Sequence, residues 1–135
     1  MRRTILLIED NEQNRYLVTF LLEQHGHTVV AAPDGRRGIE IAARLVPDLI
    51  LLDIQLPVMD GYAVARALRG FEALRSIPIV AVTSYAMVGD RERALAAGCS
   101  GYLEKPIDPE TFVSDIERFV GLPPRDIHPL DATAD

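Results

Sequence analysis

Four places in this sequence set polar, chemically capable residues directly after a short apolar run. Glu9 and Asp10 follow the run at 4–8, Asp53 closes the run at 48–53, Thr83 and Ser84 follow the run at 77–82, and Lys105-Pro106 follows the run at 101–104. Three carboxylates drawn together repel one another unless a cation lies between them. An all-oxygen donor set suits magnesium, which takes one or two carboxylates, keeps several waters and accepts a phosphate oxygen. A carboxylate can also act as the nucleophile in phosphoryl transfer and become an acyl phosphate. A metal and a lysine then neutralise charge on the transferred group, so that positioning and electrostatics supply most of the catalysis. Lys105 is the available point charge, and Thr83 is a hydroxyl able to bond a phosphoryl oxygen. Taken singly, each residue has a plainer reading: a surface acid, a strand-end hydroxyl, a solvated lysine, a loop proline. Chemistry requires that they meet, and the intervening elements decide that.

Short apolar runs alternate with longer segments of helical periodicity. Strands are expected at 4–8, 28–32, 48–53, 77–82 and 101–104, and helices at 12–24, from the Asp34-Gly35 turn to about 45, 60–68, 88–97 and 109–120. Gly26 and Gly98 are placed to close helices, Pro47 ends another, and Pro109 sits where the first turn of the last helix tolerates it. Four apolar residues in succession at 49–52 mark a strand covered on both faces. Strands and helices that alternate in this way imply an α/β fold: a parallel sheet with right-handed crossovers and helices on both faces. In such a sheet all strands end on one edge, where ligands bind at the switch point of strand order. The polar residues above then share that edge, whereas the second strand ends in Ala31-Ala32 and belongs away from it. The segment 121–135, GLPPRDIHPLDATAD, has three prolines and no periodicity, so it is expected to be a flexible tail to a single domain over 1–120.

Composition narrows the partners. A length of 135 residues suits one domain, and 48% hydrophobic with 25% charged residues is globular composition. A formal charge of −6 argues against nucleic acid as a direct partner. No apolar stretch approaches the ~20 residues that span a bilayer, and the short apolar stretch after Met1-Arg2-Arg3 does not make a secretory signal. A cytoplasmic protein without a membrane partner is expected. The lone cysteine, Cys99, fits a reducing compartment and reads as a small packed hydrophobe, and the three histidines have no zinc-ligand spacing.

In combination, IEDN at 8–11, LLDIQLPVMDG at 51–61, VTS at 82–84 and GYLEKPI at 101–107 resemble the receiver domains of two-component response regulators, a likeness that runs from Arg3 to about Val120. IEDNEQNR and SYAMVGDRERALAAGCSGYLEKPID are similar to single-domain receivers of the DivK type and also to receivers attached to hybrid histidine kinases. The resemblance implies a flavodoxin-like five-stranded sheet of order 2-1-3-4-5. It implies that Asp53 is the phosphoacceptor, that Asp10, Asp53 and the backbone carbonyl of Gln55 hold Mg²⁺, and that Glu9 acts through a metal-bound water. Thr83 and Lys105 become the phosphoryl ligands, Thr83 and Tyr102 the switch pair, and the Lys105–Pro106 bond is expected to be cis. The implied donor is a sensor histidine kinase or histidine phosphotransferase. A downstream protein target would meet the face of the fourth helix, fifth strand and last helix. Such a chain catalyses its own phosphorylation and dephosphorylation and is otherwise no enzyme. Gln55 and Tyr85, each two residues beyond a site residue, stand where receivers tune hydrolysis, and Tyr85 is expected to shield the phosphoryl group. Glu9, Ser84 and Leu56 depart from commoner residues, and none removes a required group.

Three other readings compete. The chain could be a receiver cut from a hybrid kinase or larger regulator. An aspartyl-phosphate hydrolase would use the same nucleophile and metal, but it usually needs a second aspartate where Gln55 stands. A flavin-binding module would need a Ser/Thr/Gly-rich phosphate loop after the first strand, where Glu9-Asp10 would repel phosphate.

Overall fold

Five strands pair in parallel in the order β2-β1-β3-β4-β5, namely β1 (Thr4–Ile8), β2 (Thr28–Ala32), β3 (Leu49–Asp53), β4 (Ile79–Thr83) and β5 (Gly101–Glu104). The crossovers are α1 (Glu12–Gln24), α2 (Gly35–Leu45), α3 (Gly61–Arg69) and α4 (Asp90–Ala96), with a single 3-10 turn at Glu72–Leu74, and α5 (Phe112–Phe119) follows β5. The computed structural model describes residues 2–84 and 88–120. The expected tail at 121–135 and Tyr85 lie outside the described residues. Among the described residues no helix is long and apolar enough to cross a membrane.

The pleat sends successive side chains to opposite faces, and the unbroken apolar runs of the sequence fill both. Leu6, Ile8, Ile50, Leu52, Ile79 and Ala81 pack with α2, α3 and α4 on one side. Ile5, Leu7, Leu49, Leu51, Val80 and Val82 pack with α1 and α5 on the other. Burying an aliphatic side chain of this size contributes about 1.5–3 kcal/mol, which anchors the central strands and leaves their C-terminal ends as fixed points.

Three helices start on side-chain caps placed right after a strand or turn. Asn11 accepts from the Asn14 amide (2.9 Å), Asp34 from Arg37 (2.8 Å) and Asp60 from Ala63 (2.8 Å). Two helices start later than the periodicity suggests. The fourth begins at Asp90 rather than 88, because Gly89 has φ +91 and cannot lie inside a right-handed helix. The last begins at Phe112 rather than 109. Asp108 draws the chain into a turn by accepting the Glu110 amide on its side chain (2.9 Å) and the Thr111 and Phe112 amides on its carbonyl (3.2 and 2.9 Å), so Pro109 sits in that turn. The fourth strand starts at Ile79, after Pro78, whose carbonyl accepts from the Ile50 amide (2.9 Å).

Candidate functional site

Sheet register alone brings the acids together. Ile8 pairs with Leu52 and Val82 with Asp53, so Glu9, Asp53 and Thr83 end three adjacent strands side by side. Thr83 pairs with Glu104, and the Lys105 amide donates to the Thr83 carbonyl (2.7 Å), which sets Lys105 on the same edge. Glu9, Asp53 and Thr83 are buried, and Asp10 is exposed. The Lys105–Pro106 bond is cis, as expected.

Lys105 Nζ lies 3.1 Å from Glu9 Oε1 and 3.4 Å from Asp53 Oδ2. The other Asp53 oxygen accepts from the Gln55 amide (2.9 Å), which holds the carboxylate in one orientation. Glu9 Oε2 accepts from the Asn11 amide at 3.2 Å. Burial and the closeness of Asp53 push the Glu9 carboxyl up to about 7, against the opposing pull of Lys105 and the Asn11 amide. Two buried acids sharing one ammonium thus remain short of positive charge.

Each of Glu9, Asp10 and Asp53 offers a carboxylate oxygen, and these atoms lie within 4.8 Å of one another. Hard oxygen donors, an ammonium already lodged where a cation is needed, and an exposed Asp10 that leaves room for waters fit a magnesium ion. Each of the three acids could offer it an oxygen.

The family model described as response regulator receiver domain matches residues 5–117. This chain is a response regulator receiver domain. It is 40% identical over 121 residues to the polar-differentiation response regulator DivK of Brucella ovis, a span that covers 90% of this chain and 98% of that one. Among solved structures it is similar to the receiver domain of the sensor histidine kinase PA1611 of Pseudomonas aeruginosa PAO1 (38% identity, 90% of this chain, 99% of that one, TM-score 0.82). That structure has a magnesium ion coordinated in its active-site cleft. It also resembles the BeF3-activated receiver domain of Klebsiella pneumoniae RstA (34% identity, 87% and 98% coverage, TM-score 0.80).

Several contacts of this receiver had no signal in the sequence. The Gln55 side chain bridges the fourth strand's end: its Nε2 donates to Thr83 Oγ1 and its Oε1 accepts from the Ser84 amide at 3.1 Å. Tyr62 of α3 donates to Asp90 Oδ1 (3.3 Å), and Arg93 lies over its ring at 4.4 Å from the centroid. Tyr102 is half-buried, its hydroxyl is inside the protein, and that oxygen has no hydrogen-bond partner among the described residues. Burial first, and then Asp90, raise its phenol above the usual range. Buried His27 joins α5 to the residue before β1, with Nε2 2.8 Å from Glu117 Oε2 and Nδ1 accepting from the Arg3 amide (3.1 Å). Burial pushes the Cys99 thiol up to about 12, so this cysteine is packing and not a nucleophile.

Proposed function

We propose that this receiver takes a phosphoryl group from a phosphohistidine of a sensor histidine kinase or histidine phosphotransferase onto Asp53. The observation that carries the reading is the buried Asp53 carboxylate, tethered by the Gln55 amide and facing Lys105 at 3.4 Å, at the end of a central strand. Asp53 Oδ2 attacks phosphorus, the phosphorus–imidazole nitrogen bond breaks, and the histidine nitrogen keeps the electron pair. Lys105 neutralises one developing charge, and Thr83 donates its hydroxyl to a phosphoryl oxygen. Asp10, Asp53 and the Gln55 carbonyl, with Glu9 through a water, would hold magnesium, which when bound would supply further neutralisation of charge on the transferred group. In this reading domain 1–120 is a cytoplasmic phosphorelay protein.

The new charge then biases a packing equilibrium. Thr83 turns toward the phosphoryl group, Tyr102 on the neighbouring strand adjusts, and the face of α4, β5 and α5 changes for a protein target.

Incubation with Mg²⁺ and acetyl phosphate or phosphoramidate should add one phosphoryl mass, and Asp53→Ala should abolish the adduct. An adduct that persists in the variant, or never forms in the wild type, overturns the assignment.

A further inference from the structure

Arg15 lies in the second turn of α1, half-buried, and its Nη1 donates to two main-chain carbonyls at once, Glu9 at 2.8 Å and Asp10 at 3.0 Å. These belong to the two acids that follow β1. The passage from strand to helix is only Glu9, Asp10 and Asn11, so its backbone direction decides where both carboxylates point. Asn11 fixes one end of that passage: its amide holds Glu9 Oε2 and its side chain caps α1. The guanidinium fixes the other end.

We propose that Arg15 is a positioning residue for the magnesium site, aiming the Glu9 and Asp10 carboxylates by clamping their carbonyls. This rests on the reading of Glu9, Asp10 and Asp53 as a metal site. Geometry and charge act in opposite directions here, which makes the role testable. A guanidinium beside a divalent cation repels it, so as a bare charge Arg15 weakens magnesium binding. As a clamp it strengthens binding, because outer partners that orient ligands are typically worth a factor of about 10–100 in metal affinity. Lysine keeps the charge and most of the stem but not the planar group whose single Nη1 meets both carbonyls.

The experiment is a magnesium titration of the phosphate-free protein followed by amide NMR, comparing wild type, Arg15→Met and Arg15→Lys. The clamp predicts a Kd raised about tenfold or more in Arg15→Met, with Arg15→Lys between that value and the wild type. It also predicts that the metal-free spectra of both variants differ from wild type at residues 9–11. A Kd unchanged or lowered in Arg15→Met overturns the proposal, since loss of a mere charge would tighten binding. If Arg15→Met does not fold, Arg15→Lys decides alone, and a wild-type Kd in it overturns the clamp. A wild type that shows no magnesium response overturns instead the metal reading of the three acids.

Discussion

At Glu9 protonation and folding are linked, and in the proposed function metal binding joins them. Its carboxyl is pushed up to about 7 from an ordinary 4.5, by burial first and by Asp53 second. Between those two values the folded protein holds a proton that the unfolded chain has released. The contribution of this carboxyl to metal-free stability is therefore greatest at the acid end of the window and falls as pH rises from about 4.5 to about 7. The loss through this one group is on the order of 1–3 kcal/mol. Magnesium needs the ionised carboxylate, so its affinity should rise across the same window. Urea unfolding of metal-free protein at pH 5 and pH 8 should show this loss in wild type and a smaller one in Glu9→Gln. Equal losses in the two proteins would place the pH dependence elsewhere. Gln55 is a second residue to test, because its side-chain amide engages the Ser84 amide and the Thr83 hydroxyl, the group that the proposed reaction gives to a phosphoryl oxygen. Gln55→Ala should speed labelling of Asp53 by acetyl phosphate, measured as the initial rate of adduct formation. A slower rate would mean that the amide assists instead.

Among the elements, α4 is short and its first residue is bonded to the neighbouring helix α3. It has seven residues, no side-chain cap at Gly89, and a first residue, Asp90, that accepts from Tyr62 of α3 and sits 3.7 Å from Arg93. Tyr62→Phe keeps the ring under Arg93 and removes the hydrogen bond, so it should cost about 0.5–1.5 kcal/mol and speed amide exchange at the start of α4. Exchange that stays at the wild-type rate would remove Tyr62 from the account of how α4 is fastened. Tyr102, on the adjacent strand, differs in kind, since its inward hydroxyl has no partner among the described residues. Tyr102→Phe should leave stability unchanged or raise it, because a buried hydroxyl without a partner costs more than it contributes. A loss above ~1 kcal/mol would point to a bonded hydroxyl. Beryllofluoride should shift amides across 83–108 beyond the site, and Thr83→Ala should uncouple those shifts from binding. Shifts confined to the site lining would remove the α4-β5-α5 face as the output.

For the whole molecule, the proposed function sets the acid cluster against stability. The formal charge is −6, and three of the acids crowd one edge of the sheet. Magnesium at ~100 times its Kd should stabilise the fold by roughly 2.7 kcal/mol if it binds the native state alone. Asp10→Asn should raise the metal-free melting temperature while weakening magnesium binding, the trade expected when a site keeps like charges for function. Calorimetric scans of both proteins with and without magnesium provide the check. Identical melting temperatures for wild type with and without the metal would oppose a preformed site.

Local sequence was enough for a parallel sheet with the acids on one edge, and the strand order came with the family resemblance. Four apolar residues before Asp53 require a strand covered on both sides, and once parallel strands align, Glu9, Asp53 and Thr83 can only end together. Periodicity was less informative at helix starts, where Gly89 and Asp108 act through backbone conformation and turn hydrogen bonds that no apolar pattern records. The long-range side-chain contacts belonged to the tertiary structure. Gln55 reaches Thr83 across 28 residues, Tyr62 reaches Asp90 across another 28, and His27 meets Glu117 across 90. Arg15 is close in sequence to Glu9 and Asp10, yet its role depends on a guanidinium folding back on two carbonyls, which residue type and spacing leave open. Repeating short-range patterns specify which face of each element is apolar. Which polar atoms then meet depends on side-chain rotamers, and these are chosen only once neighbouring elements have packed.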